Sequence, residues 1–212
     1  VIKVCVLGAN NPHTRTIIDA IEEADRLVGE PRYAFNCAID GNPAKQGPDV
    51  FDWDAVPPLI RDGYVFANEI SGSTRARWET SKRVTDLGGY LIDLIWPGAA
   101  RERANGGRYI QEDVRIQAGC EVGDWTTIHS GALLSHETRV RKCCFVGPRA
   151  TICGRVTLGY GVYVGAAATI LPDVKIGAWA TIGAGAVVLK DVPPGCTVVG
   201  NPAHIIKTEP VA

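Results

Sequence analysis

Of the four histidines in the chain, His13, His129, His136 and His204, only His136 has a carboxylate as its immediate neighbour, Glu137. Imidazole titrates nearest neutrality and is the usual general base. A carboxylate beside it favours the protonated ring and fixes one tautomer. Adjacent side chains on a strand diverge, so adjacency alone does not bring Glu137 to the ring. Gly154 lies eighteen residues beyond His136. Glycine leaves space beside a base, and its bare N–H can hold negative charge developing on an oxygen. The competing reading of His136 is a solvated surface histidine. His13 is read as a polar turn residue. His129 is a second candidate base, but it falls on a different face from His136, so it does not share that pocket within its own chain.

Those spacings matter because of what lies around them. From Ile110 to Pro193 the chain reads in sixes, and the first residue of all fourteen hexads is aliphatic, from Ile110, Ile116 and Val122 through Ile182 and Val188. The fifth position is small or β-branched, as in Val114, Cys120, Thr126 and Ala132. The second is often glycine, as in Gly123, Gly147 and Gly159. This period fits neither a helix nor an alternating strand. It fits a short strand and a tight turn, repeated, with three strands closing a triangular coil of eighteen residues. Coils then stack at roughly 4.8 Å, the spacing of neighbouring strands. Glycine is expected at the corners for its backbone freedom. His136, third in its hexad, faces outward near a corner, with Gly154 directly over it one coil on.

Length and composition set wider bounds. The 212 residues allow one or two domains. A net charge of −1 gives no general attraction to nucleic acid or membranes. No apolar run approaches the ~20 residues of a membrane span, and no signal-peptide pattern is read. The seven cysteines are odd in number and lack a Cys-x-x-Cys pair, so they are read as reduced core residues of a cytoplasmic protein. No metal site is expected.

Residues 1–97 read as a separate α/β domain, a small Rossmann-like parallel sheet. Strands are expected at Val1–Leu7, Tyr33–Ile39, Tyr64–Ile70 and Tyr90–Ile95, and helices at Ile17–Val28 and Arg75–Leu87. The stretch from Ala44 to Asp62 is less regular. The turn after the first strand, with Gly8, Asn10 and Asn11, precedes a helix N-terminus, where phosphates bind in such folds. Asp40, at the end of the second strand, either bonds a ribose or base or is a turn residue.

The hexads and the exit sequence Gly200-Asn201-Pro202-Ala203 identify a resemblance. The chain resembles the hexapeptide-repeat sugar acetyltransferases, related to the bacillosamine N-acetyltransferase and sialic acid O-acetyltransferase family. The resemblance implies that residues 98–212 form a left-handed parallel β-helix; ordinary crossovers are right-handed, and nothing in the spacing reveals the exception. It implies acetyl-CoA as co-substrate and a nucleotide-linked amino sugar as acceptor, held by Gly8, Asn10, Asn11 and Asp40 of the first domain. The first turn departs from the family's glycine-rich pattern. The resemblance makes His136 the base, Glu137 its orienting carboxylate and Gly154 N–H the donor to the acetyl carbonyl. It places Phe145 against the acceptor, where some relatives carry a second histidine. The pantetheine arm of coenzyme A is implied along Gly165, Ala166, Gly183 and Ala184, which also suit tight corner packing. Lys190 either meets the coenzyme's phosphates or is a plain solvated lysine. A homotrimer with sites between subunits is implied, and Trp125 and Trp179, three coils apart in one corner column, suit an interface. O-acetylation of a sugar and a non-catalytic β-helix for binding or assembly are the alternative functions.

Overall fold

The computed structural model describes residues 1–8, 18–19, 22, 33–40, 50–70, 72–96 and 106–211. The chain divides into two compact units, one of Val1–Pro97 with Asn105–Tyr109 and one of Gly98–Ala104 with Ile110–Ala212. The sequence boundary at 97/98 differs in one respect, because Tyr109 packs with Val4, Ala67, Ile92 and Leu94 in the core of the first unit. Among the described residues, no helix is long and apolar enough to cross a membrane.

The first unit holds a parallel sheet of β1 (Ile2–Leu7), β2 (Tyr33–Ile39), β3 (Val50–Phe51) and β4 (Val65–Asn68) in the order β3-β2-β1-β4. The chain moves outward from β1 to β3 and returns to β4 on the other side of β1. The C-terminal ends of β1 and β4 are therefore a topological switch point, where ligands sit in open α/β sheets. The two-residue β3 and the helix Val56–Arg61 fall in the stretch read as irregular. Pro57 and Pro58 open that helix, positions where a missing N–H costs nothing. The expected Arg75–Leu87 helix is Thr74–Asp86, with Ser73 Oγ accepting from Ala76 N–H at 3.2 Å as its cap. The expected strand Tyr90–Ile95 reduces to a Phe66–Leu91 bridge and the pair Leu94–Ile95. Most of the expected Ile17–Val28 helix lies outside the described residues; Ile18, Asp19 and Glu22 are helical.

The interior of this unit is polar in part. Arg77, 1% exposed, donates from Nη1 to the carbonyls of Asn68 (2.5 Å) and Ile70 (3.3 Å) and from Nη2 to that of Gly107 (3.1 Å). Asn68 Nδ2 donates to Ser81 Oγ at 2.8 Å. Glu69 is buried, and neither carboxylate oxygen has a hydrogen-bond partner among the described residues. Burial pushes its carboxyl up to about 8, against the opposing pull of the Arg77 charge.

The second unit is a left-handed parallel β-helix. From Arg115–Ile116 to Val187–Val188 each strand is two residues long and pairs in parallel with those eighteen residues away, as in Leu134↔Ile152↔Ile170↔Val188. The aliphatic first position of each hexad is buried in all but the first coil, where Ile116 and Val122 are half-buried. All fourteen fifth positions are buried. The polar ones among them follow one rule. Cys120, Thr126, Thr138 and Cys144 each donate to the carbonyl fifteen residues on, at 3.0 to 3.2 Å. A thiol or hydroxyl is thus admitted to the core because the next coil supplies its acceptor. None of the seven cysteines forms a disulfide.

The corners correct the sequence reading of glycine. The left-handed residue is the fourth of every hexad but the last and mostly not glycine: Glu137 has φ 58°, Arg155 61°, Trp179 59°. The second-position glycines are needed for close approach instead. A Cβ on Gly147 would lie 2.7 Å from Ala166 N, and one on Gly165 2.5 Å from Ala184 N. Their role is steric, letting one coil seat on the next.

Candidate active site

His136 follows the strand Leu133–Leu134 and is half-exposed at a corner. Its backbone N–H donates to Gln117 Oε1 at 3.0 Å, and its carbonyl accepts from Arg155 N–H at 2.9 Å, so it is tied to the coils on either side. Glu137, next in the chain, does reach the ring: Oε2 lies 3.4 Å from Nδ1. The left-handed backbone of Glu137 makes this possible, because at φ 58° its side chain does not take the divergent course of a strand neighbour.

Gly154 is the vertical neighbour that the eighteen-residue spacing demands. A Cβ there would stand 2.5 Å from His136 Nε2 and 2.6 Å from Cε1. The space that glycine leaves is therefore filled by the imidazole itself. Among the described residues, none accepts a hydrogen bond from Gly154 N–H. Third-position N–H groups lie outside the ladder of the coils, as the neighbouring ones show. That of His136 is taken by Gln117, and that of Ser130 by Gln111 Oε1 at 3.0 Å. The imidazole and a free N–H thus occupy one corner, one coil apart.

The same column holds two residues that the sequence reading missed. Arg155 and Asp173 form a bidentate ion pair, Nε and Nη2 each 2.7 Å from one carboxylate oxygen. Arg155 holds the Asp173 carboxyl below its ordinary range, chiefly through these hydrogen bonds, and the charge of His136 adds to the effect. The guanidinium in turn is raised, first by the Asp173 bonds and last by the charge of Glu137. The signal was available: 137, 155 and 173 are eighteen apart and alternate in sign.

The expected coenzyme strip lies on another corner of the same chain. Gly165 and Gly183 spend their N–H groups on the ladder, to Ile182 and Val198 carbonyls at 2.7 and 2.8 Å. Ala166 and Ala184 are exposed, and among the described residues nothing accepts from their N–H groups. The face carrying Leu134, Ile152 and Ile170 separates this corner from that of His136. Lys190 is exposed at the last coil and lines a cavity of about 400 Å3 with Leu189, Asp191, Pro202 and His204.

Phe145 lies in the strand Phe145–Val146. It is 6% exposed, stacked on Tyr163 at 4.4 Å and 5°, with His129 tilted against its other side at 4.7 Å. Its ring is covered within its own chain by Tyr163 and His129. Trp125 and Trp179 share a corner column as expected but are half-buried, and the Trp179 indole lies over Gly161.

In the first unit, Gly8 ends β1 at φ 98°, and its N–H donates to the Ile39 carbonyl at 2.9 Å. Asp40 is half-buried and donates its N–H to Phe51 O at 3.1 Å. Both stand at the C-terminal edge of the sheet. Asn10, Asn11 and His13 lie outside the described residues.

Comparison with known proteins places this geometry. The family of bacterial transferase hexapeptides (six repeats) matches residues 161–190. No curated protein sequence matches the chain. Among solved structures, PerB from Caulobacter crescentus in complex with CoA and GDP-perosamine is 30% identical, with 97% of each chain covered and a TM-score of 0.81. A variant of perosamine N-acetyltransferase from the same organism, with the same ligands, is 28% identical at equal coverage and TM-score. The acetyltransferase domain of PglB from Neisseria gonorrhoeae in complex with acetyl coenzyme A shares the fold at 23% identity, with 96% of this chain and 98% of that chain covered and a TM-score of 0.76.

Proposed function

Because this chain belongs to the hexapeptide-repeat sugar acetyltransferases, we propose that it transfers an acetyl group from acetyl-CoA to the amine of a nucleotide-linked amino sugar. His136 takes a proton from the amine as the nitrogen attacks the thioester carbonyl. Gly154 N–H bonds the resulting oxyanion, and Glu137 orients the ring through Nδ1. The tetrahedral species collapses with loss of the coenzyme thiolate, which is protonated on release. Gly8 and Asp40, with Asn10 and Asn11, hold the nucleotide at the sheet edge. Ala166 and Ala184 offer N–H groups to the pantetheine arm, and Lys190, three coils on from His136 at its own corner, serves phosphate. Because that strip and His136 are on different corners, the working site is assembled between copies in a homotrimer.

The observation that carries the reading is the His136 ring seated on Gly154 with Nδ1 3.4 Å from Glu137. The ligands of the Caulobacter relatives, CoA and GDP-perosamine, support the substrate class. The test is thiol release from acetyl-CoA with a panel of nucleotide-linked amino and hydroxy sugars. Turnover with amines alone is expected, and His136→Ala should lower kcat by ~100-fold or more. An unchanged kcat removes His136 from the chemistry. No turnover and no coenzyme binding would leave a binding or assembly module.

A further inference from the structure

The corner that carries the base also carries a vertical run of charge. Glu137, Arg155 and Asp173 stand on three successive coils, each in the same left-handed conformation at φ 58°, 61° and 66°. The shared backbone geometry sends the three side chains out in one file. Arg155 therefore has a carboxylate on the coil before it and another on the coil after it, and it binds one of them. Its Nε and Nη2 both donate to Asp173, each at 2.7 Å. Glu137 is left 3.4 Å from His136 Nδ1.

We propose that Asp173 is a positioning residue for the base: by engaging Arg155 on the following coil, it leaves Glu137 to the imidazole. The inference rests on the reading of His136 as the base. A bidentate guanidinium–carboxylate pair is the stronger of the two contacts Glu137 could make. Were Asp173 absent, Arg155 would turn to Glu137 and draw it from the ring. The charged groups that face the imidazole are then Glu137, Arg155 and Asp173. Gln117, on the preceding coil, is neutral and bonds only the backbone. Asp191, next in the column, accepts from Lys175 N–H at 2.7 Å.

The test is the pH dependence of kcat and kcat/KM for Asp173→Asn, Arg155→Gln and the double variant. Asp173→Asn should lower kcat by roughly tenfold through loss of base orientation. It should also move the acid limb of kcat/KM to lower pH, since a negative charge is lost and a positive one freed beside the ring. Arg155→Gln should move that limb to higher pH. The double variant should recover most of the kcat lost in Asp173→Asn, because no guanidinium remains to take Glu137. These exposed charges are screened by salt, so both pH shifts should shrink at ~1 M ionic strength. A wild-type profile for Asp173→Asn, or a double variant no better than Asp173→Asn, overturns the inference. If His136→Ala abolishes turnover while Asp173→Asn is unchanged, the inference alone fails. If His136→Ala keeps full kcat, the reading beneath it fails too.

Discussion

The two units of this chain solve the problem of holding polar groups in opposite ways. In the β-helix every coil repeats one arrangement, so a thiol or hydroxyl at the fifth position of a hexad finds its acceptor at a fixed offset, as Thr126 finds Arg141 O and Thr138 finds Cys153 O. In the first unit each buried polar contact is made once. Arg77 joins the carbonyls of Asn68, Ile70 and Gly107, and no second copy of that arrangement backs it. The repeated unit can thus place a functional group by translation alone, whereas the α/β unit depends on single residues. If that contrast is right, the first unit is the fragile one.

The largest effect should come from Arg77→Ala. It strands three carbonyls and removes the one charge that, among the described residues, opposes the burial of Glu69. Breaking a buried charged network by deleting one partner costs about 3–5 kcal/mol. Thermal melting should then split. Trp53, Trp78 and Trp96 would report early loss of the first unit, while Trp125 and Trp179 keep the coil transition. Single-tryptophan fluorescence would resolve the two, and one unshifted transition would break the contrast.

A smaller effect follows from Glu69. Its carboxyl is raised from near 4.5 to about 8 by burial. Between those values the folded unit keeps a proton that the unfolded chain has released. Stability is therefore greatest below the unfolded value and falls as pH rises through the folded one. The slope is at most about 1.4 kcal/mol per pH unit for one group. Glu69→Gln should flatten this fall between pH 5 and 8 for the first unit and leave the coils unaltered, as urea midpoints across that range would show. A wild-type slope in the variant would mean that the Glu69 proton is not held by the fold.

How much could be read beforehand follows the same division. The coil architecture was legible because one aliphatic residue in six has no other use. The His136–Gly154 stack was legible because eighteen residues make one coil. The Glu137 contact was implied by the resemblance but not by the spacing, since it depends on the left-handed corner falling on the fourth residue, and the glycines drew attention to the second. Arg155 and Asp173 obey the eighteen-residue spacing, yet charged surface pairs are common enough that spacing alone does not single them out. The covering of Phe145 by Tyr163 on the next coil was not legible, because the spacing does not say how far a ring on one coil leans over its neighbour. In the first unit, β3 and the Val56–Arg61 helix were hidden by their brevity and their prolines, and the Arg77 network has no signature in sequence at all.

The smallest change in stability should come from the residue closest to the proposed chemistry. Gly154 has no positive φ, so alanine adds no backbone strain there, and Gly→Ala at a compatible position stabilises by roughly 0.4–1 kcal/mol through the unfolded chain. Against this stands one clash. The new Cβ would meet Nε2, Cε1 and Cδ2 of His136, at 2.5 to 3.1 Å. These are the far atoms of a half-exposed side chain that can swing outward. The two effects nearly cancel, and the coil transition should move by less than about 1 kcal/mol. The imidazole, however, cannot keep its seat, and kcat should fall by roughly tenfold or more because the base no longer lies beside the free N–H. A coil that carries its site as an ornament on a repeated frame behaves in this way. If Gly154→Ala instead melted the coils, the frame and the site would be one structure, and the contrast between the two units would have to be abandoned.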